Sequence, residues 1–161
     1  YGNVLNSTGS IIPMIWQAID SNSELTLFSN QMTRFLIDSD EALDLIFEGL
    51  MIDGGSIIPK SKSAKIEDLF EIYREKFNLK YKIGKPRVGE KIHEILASKE
   101  EMQRIRISDC GSFFILRPTF SSNVPVYDGF VTDEDYSSKD CLISKSDLEK
   151  LLERFNYFKP E

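Results

Sequence analysis

Apolar positions recur along this chain with two periods, near 3.6 and near 2, and the changes of period outline its elements. The most regular stretch is 66–77, where Ile66, Leu69, Phe70, Tyr73 and Phe77 share one face of an amphipathic helix. Asp38 followed three residues later by Glu41 reads as a capping box. The helix it opens carries Ala42, Leu45, Ile46 and Leu50 as its apolar stripe, and Gly54-Gly55 breaks it. Ser10 caps a helix over Ile11–Ile19, with Pro13 tolerated in the first turn. Ser144 caps a last helix whose stripe is Leu148, Leu151, Leu152 and Phe155, and Ser98-Lys99-Glu100-Glu101 begins a short one. Strands are predicted at Tyr1–Leu5, Leu25–Phe28, Met32–Ile37, Ser56–Ile58 and Leu79–Ile83. Ile105–Ile107 and Phe113–Leu116 form a hairpin or added strands, and Ile92–Leu96 fits helix and strand equally. Thr119–Lys139 reads as a polar, partly acidic loop. Helices alternating with short strands imply α/β or α+β, with strands too few and uneven for a complete doubly wound sheet.

A length of 161 residues suits one domain with a real core. The formal charge of −6, without a long basic run, argues against a nucleic-acid or anionic-membrane partner. Cys110 and Cys141 form neither a metal spacing nor a disulfide framework, so a reduced, cytoplasmic setting is expected. No apolar stretch is long enough to span a bilayer, and the first residues do not resemble a signal peptide. Tyr1-Gly2-Asn3-Val4-Leu5 reads as a strand end caught mid-domain, which leads us to expect more protein upstream.

Catalytic constellations are scarce. The single His, His93, lies between Ile92 and Ile95 and suits a structural or surface role. There is no Gly-x-Gly-x-x-Gly fingerprint. Gly84–Lys91 nears a P-loop, but Glu90 stands where Lys is needed and would repel phosphate. Tyr81 and Lys85 have the Tyr-x-x-x-Lys spacing, yet Gly84 and Pro86 oppose the helix that would pair them, and a strand would hold them about 13 Å apart.

Binding is better served. In Lys85-Pro86-Arg87-Val88-Gly89-Glu90-Lys91, Pro86 restrains the backbone and Gly89 lets it turn. Arg87 can grip a diphosphate with paired N–H groups, and Glu90 can accept from sugar hydroxyls. The alternative is a surface turn with a solvated ion pair. Arg34 interrupts the apolar run Met32–Ile37 and needs an anion, either a ligand or an internal partner such as Asp38 or Asp40. Asn3, Ser10, Arg34, Arg87 and Glu90 make the candidate set, with helix-start N–H groups after Gly9-Ser10.

The same residues carry a family resemblance. Tyr1-Gly2-Asn3-Val4, Gly9-Ser10-Ile11-Ile12-Pro13, Leu25-Thr26, Met32-Thr33-Arg34-Phe35 with Asp40-Glu41-Ala42, and Arg87-Val88-Gly89-Glu90-Lys91 occur in family order. The chain resembles the substrate-binding half of an extended short-chain dehydrogenase/reductase (SDR). The nearest resemblance is to the CapD- or CapE-like UDP-N-acetylglucosamine 4,6-dehydratases with C5-epimerase activity, which serve polysaccharide biosynthesis. The resemblance implies an α/β substrate-binding portion without the N-terminal Rossmann sheet, with residues 1–97 binding the UDP-sugar and 98–161 forming a C-terminal extension. It implies that Asn3 contacts the sugar diphosphate, Ser10 and Ile11 line the phosphate, and Thr26 and Phe28 flank the uracil. Arg34 and Arg87 would clamp the diphosphate, and Glu90 would hold the ribose. NAD or NADP would act in the complete enzyme, with none expected on this chain alone, and the complete enzyme would be a homo-oligomer. Asn6-Ser7-Thr8 and Ser29-Asn30-Gln31 depart from the family pattern. A non-catalytic UDP-sugar-binding or regulatory domain, or a decayed remnant, is the alternative.

Overall fold

The computed structural model describes residues 2–52, 54–118 and 132–158. Mixed α/β structure with small sheets results. The first strand, β1 (Asn3–Val4), leads through a polar turn into α1 (Ile11–Asp20). Next come β2 (Glu24–Leu27), β3 (Thr33–Ile37) and α2 (Ser39–Leu50). Strands β4 (Ser56–Pro59) and β5 (Lys62–Lys65) precede α3 (Ile66–Phe77), and β6 (Lys80–Ile83) follows it. The remainder is β7 (Ile95–Ala97), α4 (Lys99–Met102), β8 (Ile105–Ile107), β9 (Phe113–Leu116), β10 (Tyr136–Ser137) and α5 (Lys145–Arg154).

Four small sheets share the work. In the first, β3 lies between β1 and β5; it pairs parallel with β1 (Asn3↔Leu36, Val4↔Ile37) and antiparallel with β5 (Arg34↔Ala64). The second is the parallel pair β2–β6, in register from Glu24↔Lys80 to Leu27↔Ile83. The hairpin β8–β9 is joined by β4, and β7 pairs with β10. The expected hairpin is therefore present and extended by a third strand; of the ambiguous stretch Ile92–Leu96, only its last two residues enter a strand, β7, and 92–94 are irregular. Two strands carry no sequence signal. Lys62-Ser63-Ala64-Lys65 lacks the large apolar residues that mark strands, and β10 lies in the stretch expected to be loop. The rest of that expected loop, 119–131, lies outside the described residues.

The helices divide by how they are held. Asp38 caps α2 through Asp40 N and Glu41 N while Glu41 returns to the Asp38 N–H, the capping box read from the sequence. Ser10 sits at the N-cap of α1, but its hydroxyl makes no capping bond, unlike the expectation. Helix α3 buries Ile66, Leu69, Phe70, Ile72 and Tyr73 and ends at Asn78 in the left-handed region (φ 57°). Its aromatic flank packs Tyr73 and Phe77 against Trp16 of α1, and the Tyr73 hydroxyl and Trp16 Nε1 both donate to the Tyr157 carbonyl. The α2 stripe differs from expectation: Ala42 and Leu45 are buried, whereas Ile46 and Leu50 are exposed.

Candidate functional site

Strands β1, β2 and β3, the start of α1 and the loop after β6 line a cavity of about 570 Å³. Asn3, Ser10, Ile11, Thr26, Phe28, Arg34 and Arg87 all line it, so seven residues spread over 85 positions meet at one hollow. Glu90 reaches the same place indirectly, through Arg34. Leu25, Leu27, Met32, Leu36, Ile66 and Phe70 supply an apolar wall.

The loop carrying Arg87 is held over the cavity by its first glycine. Gly84 N donates to the Leu27 carbonyl at 2.8 Å, and a Cβ at position 84 would lie 2.6 Å from Thr26 Cγ2. Any larger residue would lift the loop off β2. The loop then turns at Arg87–Glu90, closed by the Glu90 N–H on the Arg87 carbonyl and by Gly89 at φ +83°. Arg87 consequently lies over the Phe28 ring, its guanidinium carbon 4.2 Å from the centroid. Among the described residues it forms no ion pair.

Arg34 is held differently. Its Nη2 donates to Glu90 Oε1 at 2.9 Å, its Nε lies 3.6 Å from Glu94 Oε1, and its Nη1 donates to the Thr33 and Ile92 carbonyls. Only 14% of the Arg34 side chain is exposed, so this charge is matched inside the protein. The internal partners are Glu90 and Glu94 rather than Asp38 or Asp40; Asp38 is spent on the α2 cap.

Glu94 escapes a reading of the sequence, and it organises the β3 side of the cavity. Its carboxylate accepts from the Phe35 N–H, and the Asn3 amide, assigned with its nitrogen facing the carboxylate because the reverse orientation would set oxygen against oxygen, donates to both its oxygens at 3.1 and 2.9 Å. Its backbone is pinned to Ser138, with Glu94 N donating to Ser138 Oγ and Ser138 N to the Glu94 carbonyl. His93 contributes to that anchor, its Nδ1 lying 2.9 Å from Thr33 Oγ1, which is 2.6 Å from Ser138 Oγ. The one signal available was arithmetic: a second carboxylate four residues after Glu90, flanking an apolar Ile92.

On the α1 side, Ser10 Oγ is buried with no hydrogen-bond partner among the described residues. It stands at the N-terminus of α1, where first-turn N–H groups lack intrahelical acceptors. An unpaired hydroxyl, a helix start and the Arg87 guanidinium thus border one space, an arrangement suited to an anion. The Tyr81–Lys85 pair takes no part: Tyr81 packs edge-on against Phe70, and burial pushes its hydroxyl above its usual range, opposite to a catalytic tyrosine. The turn from β1 to α1 carries one glycine where a dinucleotide fingerprint needs three, so this donor set does not fit NAD or NADP. Among the described residues no acidic, His or Cys group could hold a metal, and no helix is long and apolar enough to cross a membrane.

Comparison with known proteins agrees with this architecture. The family model for polysaccharide biosynthesis proteins matches residues 1–115. An uncharacterized membrane protein of Methanocaldococcus jannaschii is 32% identical over 170 residues, 98% of this chain and 49% of that protein. A UDP-glucose 4-epimerase of Rickettsia akari is 31% identical over 173 residues, 100% of this chain and 50% of the epimerase. A UDP-N-acetylglucosamine 4,6-dehydratase (inverting) of Campylobacter jejuni is 38% identical over 104 residues, 63% of this chain and 30% of the dehydratase. The crystal structure of Pen from Bacillus thuringiensis superposes with a TM-score of 0.83 at 25% identity, covering 98% of this chain and 48% of Pen. The chain spans about half the length, or less, of the curated relatives it matches. With the family model covering most of the chain and these relatives covering nearly all of it, the chain belongs to the extended SDR-like family of polysaccharide biosynthesis proteins.

Proposed function

We propose that this chain is the UDP-sugar-binding portion of a 4,6-dehydratase/epimerase for surface-polysaccharide precursors, with UDP-N-acetylglucosamine the favoured substrate. The observation that carries the reading is the shared cavity of Asn3, Ser10, Thr26, Phe28, Arg34 and Arg87. Arg87, the Ser10 hydroxyl and the α1 N–H groups near Ile11 take the diphosphate directly. Arg34 adds positive charge from behind, shared with Glu90 and Glu94, and orients Glu90 toward the ribose hydroxyls. Phe28 and Thr26 flank the uracil, and Asn3 lies at the sugar end of the diphosphate. Oxidation and return of hydride at the sugar require NAD or NADP. That group belongs to a dinucleotide-binding half in the same protein or separately encoded, and no step through it is assigned to these residues. Names of relatives support the chemistry: one is a UDP-glucose 4-epimerase, another a UDP-N-acetylglucosamine 4,6-dehydratase.

The test is base selectivity. UDP titrated calorimetrically into the chain should bind at one site, with ADP weaker by about tenfold or more if Thr26 and Phe28 receive a uracil. Equal affinity for the two nucleotides would remove the uracil assignment.

A further inference from the structure

Ser138 is polar yet wholly buried, and it lies beyond the stretch that the family model matches. Its hydroxyl is used to capacity, with its proton given and both lone pairs filled. Oγ accepts from Glu94 N at 2.9 Å and donates to the Thr33 carbonyl at 3.2 Å. With that proton spent, Thr33 Oγ1 donates to Ser138 Oγ at 2.6 Å and accepts from His93 Nδ1 at 2.9 Å, directions assigned from the network. The Ser138 backbone is engaged as fully. Its N–H donates to the Glu94 carbonyl at 2.8 Å, and Ser63 Oγ donates to its carbonyl at 2.6 Å. One residue thereby ties together β3, β5 and the irregular segment 92–94.

Both residues that Ser138 grips adjoin the site. The Thr33 carbonyl that takes its proton also accepts from Arg34 Nη1 at 2.9 Å. Glu94, held by Ser138 at both N–H and carbonyl, sends its carboxylate to Arg34 Nε and the Asn3 amide. Arg34 carries the constraint on to Glu90, 2.9 Å from its Nη2. The β10–β7 ladder pairs Tyr136 with Ala97 and Ser137 with Ile95 and ends there. Beyond it the Glu94 N–H meets a serine hydroxyl in place of a backbone carbonyl, so this link needs the side chain and not merely the strand. Alanine at 138 would leave the Glu94 N–H and the buried Thr33 hydroxyl without that partner.

We infer that Ser138 is a positioning residue of the nucleotide-sugar site, acting through Glu94 to set Arg34 and, through Arg34, to aim Glu90 at the ribose. This rests on the function proposed above, in which Glu90 meets the ribose hydroxyls. It gives the C-terminal segment a part in binding, although no residue lining the cavity lies beyond Arg87. The Arg87 side chain, seated on Phe28, has no hydrogen bond to this network among the described residues, so the diphosphate contact serves as an internal control.

The test compares UDP with 2′,3′-dideoxy-UDP, which lacks both ribose hydroxyls, in calorimetric titrations of the chain. The parent should bind UDP about tenfold or more tighter, as expected for hydrogen bonds to a carboxylate. Ser138→Ala should bring that preference below about threefold and leave the dideoxy affinity nearly as it was. Glu94→Gln keeps the Ser138 bonds to its backbone and should lower the preference alike, and the double variant should go no lower. A preference retained in Ser138→Ala overturns the inference, and so do additive losses in the double variant. An equal loss for both nucleotides, the mark of a merely structural serine, overturns it too. Slow hydrogen exchange over 66–77 verifies folding, and Ser138→Cys, close in size but a weaker acceptor, takes the place of alanine if that variant does not fold. NMR of the isotope-labelled chain without nucleotide gives a second reading. Ser138→Ala should move the Arg34 Nε–H and Asn3 amide signals and leave that of Arg87 Nε–H in place; unmoved Arg34 and Asn3 signals overturn the inference. A parent that binds the two nucleotides equally, or neither, removes the ribose contact and the proposed function instead, and the Arg34 and Asn3 signals then decide whether Ser138 positions them.

Discussion

The cavity is lined by two guanidinium groups, one on β3 and one on the loop after β6, and they are held in contrasting ways. On β3, Arg34 is nearly buried and meets Glu90, Glu94 and two backbone carbonyls. On the loop after β6, Arg87 rests on the Phe28 ring, and among the described residues no carboxylate answers it. Burying a charge costs far more than exposing it, so the interior one comes with its own anions built in. The outer one lies on an aromatic face, which favours a cation weakly and leaves its N–H fork available. The same residue type is therefore held in two ways: one arginine is tied into the β3 side of the cavity, and the other keeps its donors free of a carboxylate.

That contrast can be broken by substitution. Arg34→Ala leaves Glu90 and Glu94 facing each other without a cation. It should lower stability by about 2–3 kcal/mol, below the ~3–5 of a wholly buried pair because both carboxylates are about one-quarter exposed. A melting temperature within a degree of the parent would show that the pair holds nothing. Phe28→Leu keeps an apolar shelf but removes the ring beneath Arg87. UDP affinity should fall by about 0.5–1 kcal/mol in calorimetry, the scale of an exposed cation–π contact. A loss as large as that from removing Arg87 itself would mean that the ring, and not the cation, makes the main contact. Tyr81 is not among the residues lining the cavity, so Tyr81→Phe should leave UDP affinity unchanged, and also turnover in a completed enzyme; a collapse in turnover would restore the Tyr-x-x-x-Lys pair to the mechanism.

Legibility from sequence followed the strength of local signals. The α2 capping box, the α3 face and the β8–β9 hairpin were readable because each is written within a few residues. Strand β5 was not, since Ser63 and Ala64 are buried by position and not by size. The α2 stripe was misassigned because periodicity reports that a face is apolar, not which neighbour covers it; Ile46 and Leu50 belong to the outer face. The site residues came as a set from an ordered series of short motifs, and the meeting of all but Glu90 at one cavity is a fact of tertiary structure that no local pattern contains. Glu94 was hidden for the same reason: its partners Asn3, Arg34 and Phe35 lie some sixty to ninety residues away.

The binding claim rests on Arg87, the cation left over once the interior is neutralised. Arg87→Ala, titrated with UDP alongside the parent chain, should lose about 1.5–3 kcal/mol of binding free energy, as expected for a charge-assisted contact, with no change in melting temperature. Equal UDP affinity in the two proteins would contradict the account.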